Sequence, residues 1–430
     1  MSFAFMALIV IFVAAFVLRI PIGYGLISAG IVYLLVAGES LSSVGQLMMG
    51  GFNSKFVLLA VPLFIFAAQI MNSSTVTERI FTFAFGLVGR FRGGLAQVNV
   101  VNSVIFSGMS GSAVADTGGL GVMSVKAMTD KGYEKGFSCA VTAASSTVGP
   151  IIPPSIPMVI YASLTGTSVG LLFAGGIVPG VLLALMLMAL ISLLARRRDF
   201  PRDPWIGFTL LLTRFLRAGP ALLVPVILLG GIYAGVFTPT EAAAVAASYA
   251  LILAFVVYRS ISISEFVSLL RLVGKQISAV SLMIGGAFII NYAVAVEGIP
   301  RAVADALLSI TDDGLMLLLI INLLFLVMGM FLDTIVLLLI MVPITFPIMV
   351  AAGVDPIHFG VVIVLNMMIG LSTPPFGVNL FIISQMTKTP LRNVIREIWP
   401  FIGTMLLTLV ILILVPDLVL WFPRLIGYAG

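Results

Sequence analysis

Apolar runs about as long as a bilayer is thick recur along the whole of this 430-residue chain, and a backbone in hydrocarbon must satisfy its own hydrogen bonds. Such runs lie at 3–18, 22–37, 56–71, 137–165, 170–195, 220–237, 241–258, 276–296, 357–387 and 398–416. Only 9% of the residues are charged and 61% are hydrophobic, whereas a soluble globular chain carries about 25% charged residues. These features predict an all-α polytopic membrane protein. The run at 3–18 has no basic leader and no small-residue cleavage site, so it reads as a retained span rather than a signal peptide.

The same scarcity limits the chemistry. A single cysteine, Cys139, excludes an internal disulfide and a cysteine metal cluster. A single histidine, His358, argues against a histidine-ligated metal or a Ser–His pair. The net charge of +5 fits lysine and arginine gathering on cytoplasmic loops. No basic patch alternates with aromatics as a nucleic-acid groove requires, so no nucleic-acid partner is expected.

Two further apolar segments, 94–130 and 314–351, carry Gly/Ser/Asp-rich middles and read as re-entrant hairpins. With the N-terminus outside, Arg79, Arg90, Arg92, Lys126, Lys131, Lys135, Arg196–Arg198, Arg214, Arg217, Arg271, Lys275, Lys388, Arg392 and Arg396 fall inside. Only Lys55, Arg301 and Arg424 fall outside, beside an acidic external stretch at 297–314. The opposite orientation reverses this bias. Both termini are therefore expected outside, and the count requires both hairpins to turn back.

The segment 196–218, "RRRDFPRDPWIGFTLLLTRFLRA", reads as a linker near mid-chain and invites a search for a repeat. An ungapped offset of 221 positions pairs Gly108 with Gly329, Met109 with Met330, Gly132 with Gly353 and Gly149 with Gly370. It also pairs Pro153–Pro154 with Pro374–Pro375 and Pro179 with Pro400. Each half holds five crossings and one hairpin, and an odd number of crossings inverts the second copy. Inverted repeats of this kind are typical of secondary transporters.

The paired prolines mark one broken span in each half, at 150–154 and 372–375. Proline suits the first turn of the helix that restarts, and unwound backbone offers carbonyls and helix ends to an ion or anion. A lone proline gives only a kink. A doubled proline flanked by Ser/Thr and Gly at one repeat offset favours a site. The hairpin tips are the second feature. "FSGMSGSAVADTGG" gathers Ser107, Gly108, Ser110 and Ser112 into one bend, with Asp116 one turn into the returning helix. "MGMFLDTIV" carries Asp333 and Thr334. Hydroxyls, carbonyls and a carboxylate form a hard oxygen environment suited to Na⁺, and an intramembrane carboxylate suggests function. The bland counterparts are small-residue packing for the serines and a helix-end or pairing role for Asp116. Asn291, Asn322, Asn366 and Asn379 fit interhelical hydrogen bonds, Asn379 being nearest a break. His358, beside Asp355, reads as a surface residue, and "GGLG" at 118–121 follows no strand and is no phosphate loop.

Together, "NSVIFSGMSGSAVADTGGLG", "GPIIPPSIPMVIYASLTGTSVGLLFAGGIVPG", "VPLFIFAAQIM" and "LSTPPFGVNLF" resemble the large membrane subunit of tripartite ATP-independent periplasmic (TRAP) transporters over nearly the whole chain. The resemblance implies a sodium-coupled importer of a small organic anion in a bacterial inner membrane, working as an elevator, and no enzyme. Sialic acids, C4-dicarboxylates, other sugar acids and sulfonates are the implied substrates. A periplasmic substrate-binding protein and a small four-helix membrane subunit are the implied partners, the latter expected as a separate polypeptide. It implies scaffold parts at 1–93 and 220–312, transport parts at 94–195 and 313–430, and a cytoplasmic linker at 196–219. One sodium site would use Ser107, Gly108, Ser110, Ser112 and the Gly149–Pro150 backbone. The other would use Gly329, Asp333, Thr334 and Ser372–Thr373. Substrate would lie between the tips, near Ser112, Asp116, Pro154, Ser155, Pro375 and Asn379. The main rival is a stand-alone sodium/dicarboxylate-type symporter that needs no binding protein. An intramembrane hydrolase built on Ser112 would need a base, and the sole histidine lies in the other half.

Overall fold

Long apolar stretches without charge fold as helices here because a helix closes its own backbone bonds. The computed structural model describes residues 2–198 and 200–430, leaving Asp199 of the expected linker outside the described residues, and contains no strand among them. The first half comprises α1 (Phe3–Val17), α2 (Ile22–Val36), α3 (Ser42–Ser54), α4 (Ala60–Ser73) and α5 (Val76–Val88). A hairpin follows: α6 (Gly94–Ser110), then α7 (Ala113–Asp116) running through a π turn at Thr117–Gly121 into α8 (Val122–Asp130). Next come α9 (Lys135–Ser145), α10 (Ile156–Thr165) and α11 (Val169–Arg197).

The second half repeats the plan. It holds α12 (Phe208–Tyr233), α13 (Pro239–Ile252), α14 (Ile263–Val296) and α15 (Ile299–Leu308). The second hairpin is α16 (Gly314–Gly329) and α17 (Thr334–Ala351). It is followed by α18 (Pro356–Leu371), α19 (Val378–Thr387), α20 (Leu391–Leu414) and α21 (Asp417–Leu425). Among the described residues, seven helices are long and apolar enough to cross a membrane, and the chain is a multi-pass α-helical membrane protein.

The 221-residue offset also aligns element boundaries. It carries Ser42 onto Ile263, the first residues of α3 and α14, and Lys135 onto Pro356, the first of α9 and α18. Asp130 falls on Ala351, where both hairpins end. The halves differ in several places, among them the π turn that interrupts the first returning arm where α17 is continuous, and α21, which has no counterpart in the first half. The chain breaks at Lys55 (φ −123°, ψ 64°) between α3 and the next span, whereas the 34-residue α14 runs unbroken. At 1.5 Å per residue α14 is about 50 Å long, well beyond a hydrocarbon core of about 30 Å. Its first turns, with Glu265, Arg271 and Lys275, therefore lie outside the core.

Several short helices fall between or beyond the expected spans. α3, α5, α15 and α21 have one apolar and one polar face, a pattern that a search for bilayer-length runs passes over. Within 196–219, the irregular backbone covers residues 200–207, while α11 extends to Arg197 and α12 already starts at Phe208. The expectation of a surface His358 is corrected: it is only 3% exposed, and its Nε2 lies 2.9 Å from the Leu412 carbonyl. Helix α18 begins at Pro356, with Asp355 Oδ1 accepting from Ile357 N and His358 N at 2.8 and 3.1 Å. This turns the imidazole inward against α20. The intramembrane amides Asn322 and Asn366 are joined as expected, Asn366 Nδ2 donating to Asn322 Oδ1 at 2.8 Å between α18 and α16.

Candidate functional site

The first hairpin turns because Gly111, at φ 60°, adopts a left-handed conformation that suits glycine. It sits so close to the first break that a Cβ there would lie 3.1 Å from the Pro154 carbonyl carbon and 3.3 Å from Ile156 N. Beside it, Ser112 caps the returning helix by accepting from Ala115 N at 3.3 Å. Gly149 faces the same turn: a Cβ there would lie 3.7 Å from Ser112 O and 3.8 Å from Ala113 N. Ser107, Gly108, Ser110, Gly149 and Pro150 are all buried. Ser107 Oγ donates to Val104 O at 2.5 Å, and Ser110 Oγ has no hydrogen-bond partner. The structure thus places Ser110, Ser112, Gly149 and Pro150 at the first tip and break with the Ser110 hydroxyl open, whereas the open face of Gly108 lies against Pro225 of α12.

In the second half Asp333 occupies the repeat position of Ser112 and performs the same local task, capping α17 through Ile335 N at 2.9 Å. Buried Thr334 Oγ1 has no partner. Gly329 and Gly370 pack backbone against backbone: a Cβ on Gly370 would lie 2.7 Å from Gly329 C. The second break supplies Ser372 and Thr373, both buried, and their hydroxyls are engaged. Ser372 Oγ donates to Ala143 O at 2.8 Å and Thr373 Oγ1 to Ile369 O at 2.7 Å. The Ser372 contact ties the second break to α9 of the first half. Asn379 Nδ2 extends the tie, reaching Ser372 Oγ at 3.3 Å and Ser146 Oγ at 3.4 Å. The Pro153–Pro154 and Pro374–Pro375 bonds are both cis.

Both tips open onto one cavity of about 550 Å³. Ser110, Ser112, Pro150, Asp333 and Thr334 line it from the hairpin side. Gln69 and Asn72 of α4 and Gln276 of α14 line it from the other. Gln69 Nε2 donates to Gln276 Oε1 at 3.1 Å, joining the two helices across the far wall. Among the described residues, Asp333 is the only charged side chain at this cavity, and no lysine or arginine reaches it. The space suits a small molecule held by amides, hydroxyls and helix N-termini rather than by a cationic clamp.

The other expected substrate residues stand elsewhere. Asp116 is buried beneath the tip with Oδ2 unpartnered. Ser155 caps α10 through Met158 N at 3.2 Å and donates to the Pro150 carbonyl. Pro154 is buried against Gly111, Asn379 is buried between the breaks, and Pro375 is exposed outside the cavity. Gln69, Asn72 and Gln276 were missed. Their signal was present, since a polar amide in an apolar span needs a reason. A second unforeseen network links Asn99 Nδ2 to Thr142 Oγ1 at 2.6 Å and Ser103 Oγ to Ser145 Oγ at 3.1 Å, fixing α6 on α9.

The sequence family described as the tripartite ATP-independent periplasmic transporter, DctM component, matches residues 9–418. The sialic acid TRAP transporter large permease protein SiaM of Vibrio cholerae is 40% identical over 410 residues, covering 95% of this chain and 96% of that one. The C4-dicarboxylate TRAP transporter large permease protein DctM of the same organism is 38% identical over 440 residues, 97% of each. Among solved structures, the Alcanivorax borkumensis YdaH transporter, described as having an unusual topology, aligns with a TM-score of 0.64. It shares 14% identity over 88% of this chain and 89% of that chain, a likeness of fold.

Proposed function

The chain belongs to the DctM component family of tripartite ATP-independent periplasmic transporters, and on that premise we propose that it imports a small organic anion coupled to sodium. The observation that carries this reading is the cavity of about 550 Å³ between two hairpin tips, lined by Asp333 and, among the described residues, by no cation. An anion entering a space whose one fixed charge is negative needs positive charge from elsewhere. Helix N-termini supply part of it. Sodium ions held at each tip and break would supply the rest, and binding of either solute would then favour the other.

One ion would sit by Ser107, Gly108, Ser110, Ser112 and the Gly149–Pro150 backbone, where Ser110 Oγ is open. The second would sit by Gly329, Asp333, Thr334 and the Ser372–Thr373 turn, where Thr334 Oγ1 is open. Residues 94–195 and 313–430 would move as the transport part against 1–93 and 220–312. Because α4 and α14 form the far wall, such an elevator movement would carry the solute away from Gln69, Asn72 and Gln276. Sialic acid and C4-dicarboxylate are both in the substrate class, since relatives named for each are about equally similar. The complete importer would include a small four-helix membrane subunit and a periplasmic substrate-binding protein.

Proteoliposomes test this directly. With an inward sodium gradient, uptake of radiolabelled N-acetylneuraminate or succinate is expected only when the cognate binding protein and small subunit are present. Robust uptake by the purified chain alone would instead indicate a stand-alone symporter. The proposed inner-membrane orientation places both termini in the periplasm. Cysteines at Arg197 and Arg392 are then expected to react with an impermeant maleimide only from the cytoplasm, and cysteines at Asp312 and Asp355 only from outside. Cytoplasmic labelling of position 355 would defeat the inverted arrangement.

A further inference from the structure

We propose that the cleft between the start of α2 and the middle of α14 is a binding site for an anionic phospholipid. The cleft has a volume of about 630 Å³ and is separate from the cavity between the tips. Arg271, Lys275, Ser278 and Leu282 recur every three or four residues, so one face of α14 forms one wall. Ile22 and Tyr24 stand on the other.

The chemistry of this face is graded along the helix. Two cations stand at one end with Gly274 between them, small Ser278 and Ala279 leave room in the middle, and Leu282 and Met283 close the other end. The floor is sealed where α2 packs on α14, a Cβ at Gly23 lying 3.0 Å from Leu282 Cβ. From Arg271 to Leu282 is about 16 Å at 1.5 Å per residue, close to half a hydrocarbon core of about 30 Å. A phospholipid has that layout, with an anionic head at the surface and acyl chains below it.

Depth and charge agree. Lys275 is the last charged residue of α14 before an uncharged stretch that runs to Glu297, which puts the cations at headgroup level. Both are exposed, and among the described residues the ion pairs are made by Lys131, Arg198 and Arg424, not by Arg271 or Lys275. Tyr24, 55% exposed at the rim, is a residue type enriched at the membrane interface. A free phosphate would use the cations but not the apolar end.

The test is native mass spectrometry of the delipidated full-length protein titrated with dioleoylphosphatidylglycerol and dioleoylphosphatidylcholine. Wild type is expected to prefer the anionic lipid by roughly tenfold or more, given about 1 kcal/mol per basic residue near an anionic surface. Arg271→Ser with Lys275→Ser is expected to abolish the preference. Ser278→Trp, which fills the cleft and keeps both cations, is expected to lose the bound lipid. Arg196→Ser with Arg197→Ser, cationic positions outside the cleft, is expected to keep both. Equal affinity for the two lipids, or an unchanged preference in both cleft variants, overturns the proposal. So does displacement of the lipid by millimolar inorganic phosphate, which would assign the cations to a free anion. Loss of the small subunit from the double variant with lipid preference intact would assign the cleft to that protein and also overturn it.

Discussion

Asp333→Asn is expected to raise the sodium concentration for half-maximal uptake by roughly tenfold to a hundredfold while leaving the protein folded and assembled. The substitution separates two roles of one side chain. Asp333 Oδ1 caps α17 by accepting from Ile335 N at 2.9 Å, and an asparagine oxygen accepts there equally well. The fold at the second tip is therefore kept and the charge alone is removed. A unit charge about 4 Å from a sodium ion contributes roughly 4 kcal/mol at an effective dielectric of 20. Water in the adjoining cavity and the remaining oxygens offset much of that loss, hence the smaller expected factor. Substrate affinity at saturating sodium is expected to change much less, because the ion still orders the tip once bound. The measurement is initial uptake against external sodium at fixed substrate. Unaltered sodium dependence would remove Asp333 from the ion site.

The site's frame was legible in the sequence because it depends on local rules. Doubled prolines cannot continue a helix. A Gly/Ser-rich bend inside an apolar run must turn back or line a cavity. Both signals recur at one offset, and the structure brings Gly111 onto Pro154 and Gly329 onto Gly370. What the sequence hid depends on packing between distant segments. Gln69 and Gln276 are 207 positions apart and become one hydrogen-bonded wall only when α4 lies against α14. Asp116 and Asp333 look alike as intramembrane acids, yet one is buried beneath its tip and the other opens to the cavity. The difference comes from where each helix starts. Asp333 is the N-cap of its returning helix, whereas Asp116 lies one turn beyond the equivalent cap, Ser112. His358 followed the same logic, since its burial depends on α20, which contributes nothing to the local sequence around residue 358.

Gly149 and Gly370 are repeat mates, yet alanine at the two positions is expected to have unequal consequences. At Gly149 the nearest atom to a new Cβ is Ser146 O at 3.1 Å, a contact within its own turn, and the next lies at 3.7 Å. A methyl group fits the space, but Gly149 is held at φ −50°, ψ −56° directly before Pro150, a conformation the proline ring disfavours once a Cβ is present, so Gly149→Ala is expected to lower stability modestly and leave uptake near wild type. At Gly370 the new Cβ would lie 2.7 Å from Gly329 C, 2.8 Å from its O and 3.0 Å from its Cα. These are backbone atoms of α16 and cannot rotate aside as a side chain would. Helix propensity alone favours alanine over glycine by up to about 1 kcal/mol, but overpacking of this kind costs roughly 1–3 kcal/mol, so the clash prevails. Relief requires α16 to move away from α18, and α16 leads directly into the tip that carries Asp333 and Thr334. Gly370→Ala is therefore expected to lower the melting temperature, to raise the sodium concentration for half-maximal uptake as Asp333→Asn does, and to reduce uptake on the order of tenfold, given the sensitivity of a positioned site to a shift of about 1 Å. Melting curves and sodium titrations of the two alanine variants, run side by side, check this. Equal behaviour of the two would mean that the backbone contact between Gly329 and Gly370 does not hold the second tip in place.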